Sequence, residues 1–219
     1  YYGRLRAKGH KWNRKRVLRI YRKLNLSLRR KRKRRLPERV KMPLLQPKMV
    51  NRTWSMDFMH DSLEYGRKIR VFNVIDDFSR EALAVEADYS HNGESIVRIL
   101  EELIWHRGIP HAIRSDNGPE FISKKYIDWC TRHNIELRYI QPGKPTQNAY
   151  IERFNRLFRE DVLDAYIFED LKQVRELAEE WKTDYNLNHP HSALGGRSPL
   201  KYMKELKLNL SNKTMSEVG

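Results

Sequence analysis

Three carboxylates in this chain each sit in a segment that gives them a reason to be there. Asp57 lies in a strand-like run, Thr53-Trp-Ser-Met-Asp-Phe-Met59. Asp116 closes a short strand and opens a turn, Ser115-Asp-Asn-Gly-Pro-Glu-Phe121. Glu152 lies near the start of an amphipathic helix, Asn148-Ala-Tyr-Ile-Glu-Arg-Phe-Asn155, with 35 residues between it and Asp116. Carboxylates converging from two strands and a helix would form an all-oxygen cage suited to Mg2+ or Mn2+. A pair of such ions activates water or a sugar hydroxyl for attack on a phosphodiester, so the predicted chemistry is polynucleotidyl transfer.

Each carboxylate also has an ordinary reading. Asp57, among Trp54, Met56, Phe58 and Met59, could pair with a buried Arg or cap a backbone group, because an unpaired carboxylate on a core strand is costly. Asp116 before Asn-Gly-Pro matches common turn chemistry. Glu152 alone could be a helix-surface glutamate. Helix geometry strengthens the joint reading. Glu152 and Arg159 differ by only about 20° around a helix and by roughly 10 Å along it, with Asn148 one turn back on the same face. Ile151, Phe154, Phe158 and Val162 form a neighbouring apolar stripe that would anchor the helix to a sheet. A polar file of Asn148, Glu152 and Arg159 then suits a metal ligand flanked by groups that contact phosphate. Asp76 and Asp77 could compete as ligands, but they fit better as organisers of the following turn or as partners of Arg80. The histidines, including the pair His189 and His191, lack zinc-ligand spacing.

The elements that must position these groups follow from periodicity. Strands are predicted at 53–61, 68–76 and 81–88, the first two joined by a Glu64-Tyr-Gly66 turn, as an antiparallel meander. A helix at 92–107, a strand at 111–115, a helix at 123–134 and a strand at 136–140 come next. The loop Gln141-Pro-Gly-Lys-Pro-Thr146, whose Lys144 is a candidate DNA contact, leads into the Glu152 helix, and a further helix spans roughly 170–186. This order predicts an α/β fold, a ribonuclease-H-like mixed sheet flanked by helices. A small basic helical segment precedes it. There, residues 13–24 read as a helix with Asn13 as N-cap and an apolar stripe of Val17, Leu18, Ile20, Tyr21 and Leu24.

Charge divides the chain in two. Residues 1–50 hold 20 of the 44 Lys and Arg and a single acid, Glu38, whereas 51–219 is close to neutral. The predicted organisation is therefore a basic helix-turn-helix-like DNA-binding segment over 1–35 and a Pro-containing linker over 36–50. A catalytic core over 51–205 and a tail over 206–219 complete it. Arg14 and Lys15 of the helix, and the block Arg29, Arg30, Lys31, Arg32, Lys33, Arg34 and Arg35, are the expected phosphate contacts. No run of 18 apolar residues suggests a membrane span, and there is no signal-peptide pattern, so a cytoplasmic location is expected, which the family resemblance given below would make bacterial and nucleoid-associated. The single cysteine, Cys130, excludes an internal disulfide and reads as a small apolar helix residue. The first residue is Tyr1, which points to a fragment or a processed chain.

Taken jointly, the motifs resemble a known family. Trp54-Ser-Met-Asp-Phe58, Asn73-Val-Ile-Asp-Asp-Phe-Ser-Arg80, Ser115-Asp-Asn-Gly-Pro-Glu-Phe121, Gln141-Pro-Gly-Lys-Pro-Thr-Gln-Asn148, Ile151-Glu-Arg-Phe-Asn155 and Tyr185-Asn-Leu-Asn-His-Pro-His-Ser-Ala-Leu-Gly-Gly196 carry the resemblance. It is to the transposases of bacterial insertion sequences with a retroviral-integrase-type core, in the class encoded by two overlapping reading frames. The resemblance implies a catalytic triad at Asp57, Asp116 and Glu152, a basic residue at Arg159, and two Mg2+ or Mn2+ ions per site. It further implies strand cleavage at the element's terminal repeats and strand transfer to target DNA. A homo-multimer on paired ends would do this, possibly with an upstream-frame polypeptide or as a fusion to it. One departure is His189, where the family more often has Arg before Pro-His. Two rivals remain at this stage: a catalytically inactive DNA-binding protein on the same fold, and a related ribonuclease-H-like nuclease.

Overall fold

A computed structural model describes residues 2–26, 46–141 and 145–216, with backbone alone at 145, 146 and 210–216. Its centre is a five-stranded sheet in the order β3-β2-β1-β4-β5. The strands are β1 (Trp54–Ser62), β2 (Lys68–Asp76), β3 (Ala82–Asp88), β4 (Ala112–Ser115) and β5 (Glu136–Tyr139). The first three form the expected antiparallel meander, and β4 and β5 add in parallel beside β1. The β1–β2 turn closes with Gly66 at φ 80, a left-handed conformation that glycine adopts without a Cβ penalty.

The helices are α1 (Tyr2–Ala7), α2 (Arg14–Lys23), α3 (Gly93–Arg107), α4 (Lys124–Arg132), α5 (Ala149–Phe158), α6 (Leu171–Asn188) and α7 (Pro199–Ser216). Their starts are set by side chains that satisfy orphan N–H groups. Asn92 and Ser95 form a reciprocal capping box on α3, Ser123 caps α4, and Asp170 accepts from the Gln173 N–H at 2.9 Å on α6. Helix α7 runs through residues 205 and 206, the position expected to separate core from tail.

Strand alternation sorts the core into two layers. Trp54, Met56, Phe72 and Val74 pack on one face with Ile96 and Leu100 of α3 and Trp129 of α4. Met59, Val71 and Ile75 pack on the other with Phe154 and Phe158 of α5 and Val174 and Trp181 of α6. The sheet is thus covered on both faces, and Asp57 and Asn73, paired across β1 and β2, belong to the α5 side. Cys130 is buried on α4, and burial pushes its thiol up to about 11, as an inert apolar residue requires.

Helix α2 begins as expected, with Asn13 accepting from the Lys15 N–H at 2.8 Å. Among the described residues its apolar stripe is only partly covered: no α2 residue is buried, Val17 and Tyr21 are half-buried, and Leu18, Ile20 and Leu24 are exposed. The block Arg29–Arg35, the linker up to residue 45, and Lys144 lie outside the described residues. No described helix is long and apolar enough to cross a membrane.

Candidate active site

Asp57 occupies the middle of β1, the central strand, with its side chain on the α5 face. Its Oδ1 accepts from the Phe58 N–H at 2.8 Å and its Oδ2 from Asn155 Nδ2 at 2.9 Å. Asp116 immediately follows β4. The parallel ladder pairs Trp54 with Ile113 and Ser55 with Arg114, and continuing that offset brings Asp116 level with Asp57. The loop after β4 is wound tightly around this carboxylate, whose Oδ1 accepts from the Gly118 N–H at 2.9 Å. A Cβ at Gly118 would stand 3.0 Å from that oxygen and 3.2 Å from Glu120 Oε2, so glycine fits there for want of space. Glu120 is held in turn by Arg70 of β2, whose guanidinium stacks 4.0 Å over the Phe58 ring. Glu152, exposed on the first turn of α5, completes the set; Ile151 and Phe154 anchor its helix to the sheet.

The electrostatics join the three groups. Burial pushes the Asp57 carboxyl up to about 6, with the charges of Asp116 and Glu152 adding to the rise against the Phe58 N–H and Asn155. Partial desolvation also raises Glu152, although the residue is largely exposed, and the exposed Arg156 one turn along the helix opposes the rise. Among the described residues, none of the three carboxylates forms an ion pair within 4.0 Å. Nor does any group of three His, Cys, Asp or Glu side chains stand close enough together to grip a metal ion as it is.

Two flanking residues differ from the sequence expectation. Arg159 is occupied within the protein, with Nη2 donating to the His60 carbonyl at 2.8 Å and Nη1 pairing with Asp61 at 3.3 Å and Asp164 at 3.6 Å. Regular α-helix ends at Phe158 and a π turn, Arg159–Leu163, takes over, so the helical projection from Glu152 stops one residue short of Arg159. Asn148 is buried in the 3-10 turn before α5, with its Oδ1 unpartnered, because that turn folds the residue inward instead of extending the exposed face. Arg159 is thus engaged within the protein with 38% of its side chain still exposed, while Asn148 is buried. Arg14 and Lys15 are exposed on α2.

The competing carboxylates and histidines are structural. Asp76 Oδ1 accepts from the N–H groups of Phe78 and Ser79 at 3.0 and 2.8 Å, and so builds the β2–β3 turn. Asp77 is buried against Arg114 at 2.7 Å. Arg80 donates to the Asp77 carbonyl and stacks 3.4 Å from the centroid of the Tyr150 ring, tying that turn to the start of α5. Burial lowers His189 to about 4 and His191 to about 3, and both pack on Tyr185, so the motif after α6 is a neutral aromatic corner. The sequence reading gave no role to Asn155 or Asn73. Asn155 lies three residues after Glu152 on one helix face, and Asn73 is a polar residue pointing inward from an apolar strand; those were the available signals.

A mixed sheet in this strand order, covered by helices on both faces with acids at β1, β4 and α5, is a ribonuclease-H-like integrase core. Residues 47–145 match the family described as Integrase core domain, and residues 133–199 match a second family of the same description. A protein of insertion element IS476 from Xanthomonas euvesicatoria is 40% identical over 200 residues, covering 91% of this chain and 58% of its own length. An IS407 protein from Burkholderia multivorans is 41% identical over 192 residues, covering 87% and 69%. The InsD transposase of IS2 from Escherichia coli is 28% identical over 206 residues, covering 90% and 68%. The chain belongs to the integrase core family of bacterial insertion-element transposases, and it spans between 58% and 69% of these relatives' lengths. The HTLV-2 integrase catalytic core, solved with magnesium in a trimeric form, shares the fold. Its TM-score is 0.55 at 19% identity, over 71% of this chain and 97% of that one.

Proposed function

We propose that this chain carries the catalytic centre of a transposase that cleaves DNA at its element's terminal repeats and joins those ends to target DNA. The observation that carries the reading is the state of Asp57. Its Oδ2 is held by Asn155 of the helix that carries Glu152, the parallel register brings Asp116 level with it, and burial together with those two acids raises its carboxyl. Such charge is costly unless something of opposite sign joins it.

The donor set fits a hard divalent cation: carboxylate oxygens, each carried by a different element. Asp57, Asp116 and Glu152 would hold Mg2+ or Mn2+, two ions if the family pattern applies. Bound there, such ions lower the pKa of an attacking water or 3′-hydroxyl and stabilise charge on the departing oxygen. The chain's own part is positional. The Phe58 N–H and Asn155 fix the two oxygens of Asp57, the Gly118 turn fixes Asp116, and α5 presents Glu152. No Ser or Tyr nucleophile is required. DNA is the expected polyanionic partner of the basic amino-terminal fifty residues. A homo-multimer on paired ends, with or without an upstream-frame polypeptide, is the expected working form.

The test is a strand-transfer assay with Mg2+ and DNA bearing the element's ends. Asp116→Asn is expected to abolish nicking and joining while DNA binding persists. Retained joining would sink the catalytic assignment. Wild-type nicking without joining would favour a nuclease, and binding without either reaction an inactive DNA-binding relative.

A further inference from the structure

A pair of buried asparagines links the middle of the sheet to Asp57. Asn73 lies on β2 directly across from Asp57, and strand pairing puts both side chains on the face that α5 covers. Its Nδ2 donates to Asn155 Oδ1 at 2.8 Å, and Asn155 Nδ2 donates to Asp57 Oδ2 at 2.9 Å. Asn73 is wholly buried and Asn155 is 9% exposed.

An amide side chain accepts at one end and donates at the other, so fixing one end dictates the other. With its oxygen engaged by Asn73, Asn155 must turn its NH2 toward Asp57. In the flipped orientation its oxygen would face a carboxylate oxygen, and two NH2 groups would meet at Asn73. The cost of the arrangement is visible, because Asn73 Oδ1 is buried with no hydrogen-bond partner. The same strand face is otherwise apolar, with Val71 and Ile75 on either side of Asn73. Packing alone would favour a third aliphatic residue there.

We infer that Asn73 is a positioning residue for the proposed metal centre, acting through Asn155 to aim the Asp57 carboxylate. The inference rests on the reading of Asp57 as a metal ligand. Groups that orient a ligand without touching the metal commonly govern affinity as strongly as this role requires.

The test measures Mn2+ binding to the full chain by calorimetry, with thermal melting of every variant as a check on folding. Asn73→Val keeps an aliphatic, strand-compatible side chain and removes the donor; Asn73→Ala is the smaller alternative should Val not fit. Either is expected to weaken Mn2+ binding by about 10-fold or more, the usual scale for such partners. Asn155→Ala should weaken it similarly. The decisive comparison is the double variant: if Asn73 acts only through Asn155, then Asn73→Val on the Asn155→Ala background changes Mn2+ affinity no further. Unchanged affinity in folded Asn73→Val, or losses that simply add in the double variant, would overturn the relay. A wild type that binds no Mn2+, or an Asp57→Asn variant that binds it as well as wild type, would overturn the ligand assignment and the relay with it.

Discussion

At the scale of single residues, the site is defined by a charge in the wrong solvent. Asp57 ionises near pH 6 instead of the ordinary 3.8, chiefly because it is buried and also because Asp116 and Glu152 are close by. The folded state therefore holds this proton more tightly than the unfolded state, and ionising the group between those two values costs stability. Relative to Asp57→Asn, the metal-free wild type should lose on the order of 2 kcal/mol as pH rises from about 4 to above 6. Chemical denaturation across that pH range measures the difference. A gap that stays flat with pH would show that Asp57 titrates normally, and Mn2+ should close much of the gap above pH 6. The three acids were legible as candidates because each sits in a recognisable local context. Asn73 and Asn155 could not, because their roles depend on an amide–amide contact between residues 82 positions apart.

At the scale of elements, α5 is the part that brings distant acids together, and its ending decides what its side chains can do. Its apolar stripe was legible from the 3.6-residue period, as was the neighbouring Glu152. The π turn at Arg159–Leu163 was not, since nothing in residue type or spacing marks the extra residue it accommodates. That turn leaves Arg159 bonded to the far end of β1. Arg159→Ala is therefore expected to lower stability by about 1 kcal/mol, the usual worth of a hydrogen-bonded charge at a partly exposed site. DNA affinity at constant salt should change little. Equilibrium unfolding together with a DNA-binding isotherm separates the two effects; a large loss of affinity with unchanged stability would restore Arg159 as a phosphate contact.

At the scale of the whole molecule, charge and chemistry are divided between two parts of the chain. The carboxylate cluster belongs to a near-neutral body, while the first fifty residues carry a large positive excess. Phosphate neutralisation releases counterions, so the number of engaged bases is reported by the slope of affinity against salt. Replacing the seven bases of 29–35 with Ser should flatten that slope and leave divalent-ion binding at the carboxylates unchanged. An unaltered slope would mark the block as a bystander. Helix α1 connects the two parts, since Arg4 reaches Asp161 at 3.6 Å and Asp184 at 3.5 Å at the edge of the core. The apolar stripe of α2 was predicted as a helical face, but sequence could not say that the described chain leaves its Leu18, Ile20 and Leu24 exposed.

By itself the sequence determined the order of the five strands and of helices α2 to α6, the two periodicities that build them, the three acids and the uneven charge, but not helix α7. All of these are local properties of residue type and spacing. The tertiary structure alone decided which polar groups meet. It set the parallel register that carries Asp116 level with Asp57, buried Asn148, drew Arg159 to the end of β1, and placed Asn73 beneath Asn155. Hydrogen bonds of that kind require heavy atoms within about 3 Å, a condition that chain-distant residues satisfy only once the sheet and its covering helices have packed.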